Sequence, residues 1–266
     1  MGAALVGCYH GRPPPQRVRV DLSPTPSTSR TAPVEEPQIV SAHLAMSDAA
    51  PLDGLDGLPV VFNVEVDAAS LRPEVFWVSL ENGDRVRASE AVLSPANEDD
   101  ENRTVLVIGD FGSPEANPPV AIAIYGNLYT EDGRHLDGLA ADVLPFDTPG
   151  TVVAAERIAP APGRCEGAGA AVRTYWIDGL RDVDNQDEAR VRLTLDDGQT
   201  VAPEAFDDHD MTQQSGQDNV LDLCLPTAAR AVQLRVEAGA FTDPAGHRNA
   251  VVDIEIGDAV THDGAV

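Results

Sequence analysis

Val191-Arg192-Leu193-Thr194-Leu195-Asp196-Asp197-Gly198-Gln199-Thr200-Val201 is the stretch on which the reading of the fold turns. Val191, Leu193 and Leu195 alternate with Arg192 and Thr194, which puts one face of an extended segment in a core and the other in water. The Asp197-Gly198 step accepts the positive φ of a tight hairpin turn, and Thr200-Val201 begins the return strand. The same signal recurs on both sides. Phe62, Val64 and Val66 alternate with Asn63 and Glu65, and Val232, Leu234 and Val236 with Gln233 and Arg235. Val252, Ile254 and Ile256 alternate with Asp253 and Glu255. Asn82-Gly83, Asp132-Gly133 and Ala245-Gly246 mark further turns. No amphipathic helix of useful length interrupts them, so the folded part is predicted to be all-β.

The two halves of the chain also match each other. Leu80-Glu81-Asn82-Gly83-Asp84-Arg85-Val86 parallels Leu195 to Val201, and Glu90-Ala91-Val92 parallels Glu204-Ala205-Phe206. Val105-Leu106 parallels Val220-Leu221, and Val120 to Ile124 parallels Val232 to Val236. Tyr129-Thr130-Glu131 parallels Phe241-Thr242-Asp243, with His135 opposite His247. Subtracting these positions gives offsets that stay between 112 and 115. One offset kept over five blocks implies a duplicated unit of about 110 residues, the size of a domain. The units are placed at residues 39–150 and 160–266, separated by Thr148-Pro149-Gly150 and Ala159-Pro160-Ala161-Pro162-Gly163. Six or seven short strands in each favour a two-sheet antiparallel sandwich with Greek-key connections.

Asp67-Ala68-Ala69-Ser70-Leu71 before a strand, Asn82-Gly83, and Asp243-Pro244-Ala245-Gly246 before the last strand together resemble bacterial immunoglobulin-like modules. Those modules often end in an Asp-x-x-Gly-Asn hairpin; here His247 follows Gly246 and Asn249 comes later. The resemblance implies two tandem immunoglobulin-like antiparallel β-sandwiches with spacer or adhesion roles outside the cytoplasm. It carries no active site.

Leu5-Val6-Gly7-Cys8 resembles a bacterial lipobox, in which a small residue precedes a cysteine that is lipidated after cleavage. Residues 1–8 then read as a truncated signal peptide ending at the lipidated Cys8. Residues 9–38 hold Pro13-Pro14-Pro15 and Ser23-Pro24-Thr25-Pro26 without hydrophobic periodicity, the composition of a disordered tether. A lipidated cysteine, a tether and folded modules is the layout of bacterial surface lipoproteins. The expected location is the outer membrane, cell surface or periplasm, with the membrane reached only through the lipid. Cys165 and Cys224 suit one disulfide in an exported chain, two separate buried thiols being the alternative.

The chain of 266 residues carries 44 acidic and 18 basic side chains, a formal net charge of -26, and every basic residue is Arg. That charge repels phosphate backbones and anionic headgroups, which excludes nucleic acid as an expected partner. Hydrophobic residues at 42% permit a core, and the 5% of aromatics mean that Val, Ile, Leu and Ala must build it. A monomer is expected.

Acidic clusters are the candidate metal sites. Asp182, Asp184 and Glu188 lie in Asp182-Val183-Asp184-Asn185-Gln186-Asp187-Glu188, where alternate carboxylates can converge; Asp207 and Asp210 flank Asp208-His209. Crowded carboxylates suit a hard cation, so Ca²⁺ is the one candidate cofactor. None of these stretches has the Asp-x-Asp-x-Asp-Gly spacing of a calcium loop, so solvated acidic loops are the expected reading, here and in Asn97-Glu98-Asp99-Asp100-Glu101-Asn102, and no cofactor is expected. His209 between carboxylates lacks a third transition-metal ligand. Trp77 and Trp176 are expected in the cores, while Tyr175 and Ile177 are expected to pack against the other domain or a partner. No Gly-x-Ser-x-Gly elbow exists, and Cys224 has no neighbouring His, so no catalytic residue is assigned and no enzyme is expected. The expected role is a spacer, adhesion or protein-interaction module. The alternative is a carbohydrate-binding or Ca²⁺-dependent accessory domain of a hydrolytic system.

Overall fold

A computed structural model describes residues 36–96, 101–158, 165, 167–181, 183, 185–207 and 218–260. Strands and turns form nearly all of it, as the alternation predicts, and no described helix is long and apolar enough to cross a membrane. The first part contains β1 (Ile39–Ala42), β2 (Met46–Ala49), β3 (Leu55–Phe62), β4 (Phe76–Leu80), β5 (Arg85–Arg87), β6 (Glu90–Leu93), β7 (Thr104–Gly109), β8 (Pro119–Ile124) and β9 (Ala140–Asp142). The second contains β10 (Val152–Ile158), β11 (Ala170–Trp176), β12 (Val191–Leu195), β13 (Thr200–Val201), β14 (Ala205–Asp207), β15 (Val220–Leu225), β16 (Ala231–Val236), β17 (Val252–Glu255) and β18 (Gly257–Val260).

Four sheets result. One is ordered β1-β3-β7-β6 with β2 also on β3, and it faces β5-β4-β8-β9; β14-β15-β11-β10-β18 faces β13-β12-β16-β17. Between the first pair lies a core that includes Leu58, Phe62, Phe76, Ile122 and Leu136. Between the second lies one that includes Val172, Trp176, Leu193, Leu234 and Phe241. The two pairs of sheets follow the same strand order, with β1, β3, β7 and β6 in the places of β10, β11, β15 and β14. The described pairing is antiparallel except at one edge of each sandwich, where His43 makes a parallel bridge to Leu144 in the first and β18 runs parallel to β10 in the second.

Three expectations need correction. Val152 and Ala155 of β10 belong to the second core, so that sandwich begins at Val152 rather than at 160; the Pro-rich run follows its first strand. Trp77 is not a core residue: in β4, Phe76, Val78 and Leu80 point inward, which turns Trp77 outward, where the Arg87 guanidinium lies 4.4 Å from its ring centre. His135 does not sit opposite His247. The turn bonds Thr130 N to Arg134 O and Gly133 N to Thr130 O; its counterpart bonds Asp243 N to His247 O and Gly246 N to Asp243 O. These pairs differ by 113 (243 − 130, 246 − 133), against 112 between β8 and β16 (231 − 119). One residue is therefore gained between strand and turn, and His247 stands where Arg134 does. Gly133 and Gly246 hold φ of +83° and +94° there, the left-handed conformation that favours glycine.

Candidate functional site: the joint between the sandwiches

In a sandwich with one wet face, strands alternate between core and water, as β4 and β12 do. β7 and β15 instead are buried at every residue, and β3 and β11 at all but their first. Their second faces are covered too. At β3 and β7 part of the cover is local, since Met46 and Leu52 lie against Gly57 beside Leu106. A further part is the other sandwich: Val61 and Ala96 pack with Tyr175 and Val220. Tyr175 thus goes where its alternation with Trp176 points, at 1% exposure, and Ile177 is buried at 0%.

Beside this apolar contact the joint is ionic. Glu156, Arg173 and Asp222 form a row across β10, β11 and β15, on the face away from the second core. Arg173, fully buried, donates from Nε to Asp222 Oδ1 at 2.8 Å and from Nη2 to Asp222 Oδ2 at 2.9 Å. The same Nη2 lies 3.0 Å from Oε1 of Glu101, contributed by the first sandwich just before β7. Arg103, also from the first sandwich, donates to Glu156 Oε2 at 3.0 Å, and its guanidinium lies 5.0 Å from the Tyr175 ring centre. Tyr175 OH donates to Glu156 Oε1 at 2.8 Å, and Asn219 Nδ2 donates to Thr104 Oγ1 at 2.9 Å. Burial disfavours the charge on Arg173, but the Asp222 hydrogen bonds and the charges of Asp222 and Glu101 outweigh it and hold the guanidinium more firmly protonated than usual. Burial pushes the Tyr175 hydroxyl well above its ordinary value, which keeps it a donor. Charge-assisted, two-pronged bonds of this kind fix orientation as well as contact.

The connecting chain is held from both sides. Leu144 N bonds to Ala42 O, and Leu44 N to Leu144 O, on the first sandwich. Ala250 N bonds to Gly150 O, and Ile177 N to Thr151 O, on the second. His43, 1% exposed, reaches Pro145 O with Nε2 at 3.1 Å, and its Nδ1 lies 3.8 Å from Asp178 Oδ2. Phe146 meets the His247 ring edge-on at 5.7 Å, while His247 bonds to Asp243 through its backbone N and Nδ1.

The residues singled out in the sequence fare differently. Cys165 and Cys224 form the disulfide, with Cα atoms 5.4 Å apart, packed with Ile158 and Ala171 on the outer face of the β10–β11–β15 sheet. Cys8, most of the tether, Asp182, Asp184, Asp210 and His209 lie outside the described residues. Glu188 lies in a 3-10 turn (Asn185–Arg190), and the backbone of Asp207 ends β14. Among the described residues no group of three or more His, Cys, Asp and Glu is placed to hold a metal ion. Glu101 is not the solvated loop residue expected but is 4% exposed within the ionic joint. The joint itself is what the sequence reading missed. Its signal was an arginine alternating with buried residues in Ala171-Val172-Arg173-Thr174-Tyr175-Trp176, opposite an aspartate at Asp222.

These features define an all-β protein with two sandwich cores and a buried polar joint between them. No protein-family model matches the chain, and no curated protein matches it. Solved structures similar to it include the N-terminal part of the bacterial S-layer protein SbsC, at 12% identity and a TM-score of 0.30, over 84% of this chain and 44% of that one. Surface layer protein SbsC, domains 1-6, is similar at 13% identity and a TM-score of 0.31, over 84% of this chain and 26% of that one. This chain spans less than half the length of either, and likeness at this level carries no argument about its role.

Proposed function

We propose that this chain is a non-enzymatic module working outside the cytoplasm, held at the outer membrane, cell surface or periplasm by a lipid on Cys8. In this reading, two immunoglobulin-like sandwiches arose by duplication, with their boundary between Leu144 and Thr151. They act as one spacer or interaction unit that presents its sheet faces and acidic loops to a protein partner. The observation that carries the reading is the joint. Its buried Arg103, Glu156, Arg173 and Asp222 are engaged with one another rather than converging on an open site. A spacer needs a fixed joint, because a hinge of solvated linker would transmit neither distance nor direction. The disulfide supports an oxidising compartment.

The test is fractionation in a bacterium that processes lipoproteins. The wild-type chain is expected in the detergent-rich phase on Triton X-114 partition, and Cys8→Ser in the aqueous phase. Retention of Cys8→Ser in the detergent phase removes the anchor.

A second reading, a carbohydrate-binding accessory module, is favoured by Trp77 on the outer face of β4 and by Tyr125, which is 50% exposed. Retention of the chain on a polysaccharide column separates it from the first reading.

A further inference from the structure

We propose that His43 and Asp178 share one proton across the joint, the Asp178 carboxylic acid donating to Nδ1 of His43, so that this contact is a proton-dependent latch between the sandwiches. The inference goes beyond the proposed function and stands whether or not the chain is lipid-anchored.

The geometry requires a donor at this place. His43 Nε2 faces the Pro145 carbonyl at 3.1 Å, an acceptor only, so Nε2 carries the hydrogen of the neutral ring. Nδ1 is then a bare lone pair, and it has no hydrogen-bond partner among the described residues. What faces it, at 3.8 Å, is Oδ2 of Asp178, itself an acceptor when ionised. The two side chains are 1% and 7% exposed, so water does not relieve the mismatch of two acceptors. A proton on Oδ2 gives the bare lone pair a donor to face in place of a second acceptor, with the separation of 3.8 Å to close before the two atoms are at bonding distance.

The neighbouring charges choose Asp178 rather than Asp243 as the acid. Asp243 already accepts from the His247 backbone N at 2.7 Å and from the His247 ring at 3.0 Å. Asp178 accepts from Gly179 N at 2.7 Å and otherwise faces His43, the charge of Asp243 and the more distant His247. Arg181, on the same side of the fold, is directed to the Pro244 carbonyl. Burial first, then the Asp243 charge, pushes the Asp178 carboxyl up to about 7, against the opposing Gly179 hydrogen bond and His247. Burial also lowers the affinity of His43 for a second proton, more than the Pro145 carbonyl and Asp243 raise it.

The sign of the pH effect follows from counting protons. A raised carboxyl contributes stability that is lost as pH rises towards its folded value; a lowered imidazole contributes stability that is lost as pH falls below its unfolded value of about 6.5. Between about pH 5 and 6 the unfolded chain carries one proton on its imidazole and the folded joint carries one on the pair, so the two effects cancel. Above that range the unfolded chain loses that proton first, and the latch weakens as pH rises until the pair has released its own proton to solvent.

The decisive measurement is ¹³C NMR of the full-length labelled chain, following the Asp178 carboxyl carbon, assigned by its absence in Asp178→Asn. An inflection near pH 7 is expected, with the His43 nitrogens holding the neutral Nε2–H pattern above pH 6. The wild-type unfolding midpoint should fall by about 1–2 °C between pH 6.5 and 8.5, and Asp178→Asn, whose amide supplies a donor at every pH, should lose that fall. A carboxyl inflection near pH 4, or a doubly protonated His43 at pH 7, overturns the proposal. The wild-type titration decides the matter even if Asp178→Asn does not fold.

Discussion

Arg173→Met is expected to lower the unfolding midpoint by about 6–20 °C, corresponding to roughly 3–5 kcal/mol for removing the cation from a buried ion cluster. The size follows from what remains. Asp222 and Glu101, 1% and 4% exposed, both face the guanidinium, and water cannot reach in to replace it. The loss should also be directional. Because Asp222 lies on the neighbouring strand and Glu101 on the other sandwich, Arg173→Met weakens a sheet and the joint together. Replacing the cluster as a whole is a different experiment. Combining Arg173→Met with Glu101→Leu and Asp222→Leu should recover most of the stability, since buried ion clusters contribute little net energy over well-packed apolar groups. Thermal unfolding of the two variants side by side checks both statements. A loss of under about 1 kcal/mol in Arg173→Met would mean the cluster is solvated.

Breaking the Cys165–Cys224 bond is the second large effect. The bond closes a loop across a sequence separation of 59, for which chain entropy gives about 4 kcal/mol. It also ties the segment before β11 to β15, on the sheet whose other side forms the second core. The paired replacement Cys165→Ser and Cys224→Ser should therefore lower the midpoint by about 8–16 °C, and dithiothreitol should reproduce the change in the wild type. An unchanged midpoint on reduction would show that the chain does not carry this bond in solution.

How much of this was legible in the sequence depends on which interaction sets each residue's place. Val191-Arg192-Leu193-Thr194-Leu195 reads correctly because a strand with one wet face shows its burial as simple alternation, and β12 alternates. Thr104-Val105-Leu106-Val107-Ile108-Gly109 does not alternate, and β7 is buried throughout, because both of its faces are covered. That run signals a second cover but cannot say what provides it. Trp77 was misplaced because size argued for a core, whereas the register of Phe76, Val78 and Leu80 had already used the inward positions. The joint was missed for a related reason. Arg173, Glu101 and Asp222 are charged, and charge by itself predicts solvent exposure; only contact between sandwiches distant in sequence buries them. The disulfide expected of an exported chain is present, and the pairing of β11 with β15 brings the Cys165 region beside Cys224.

The central claim is that the two sandwiches behave as one body because the joint is buried and polar-bonded from both sides. Residual dipolar couplings of backbone amides in the full-length chain test it most directly. Amides of β3, β4, β7 and β8 and those of β11, β12, β15 and β16 should fit a single alignment tensor at pH 6.5. Two tensors of different magnitude or direction would mean that the sandwiches move independently, and the joint would then be an encounter rather than a weld.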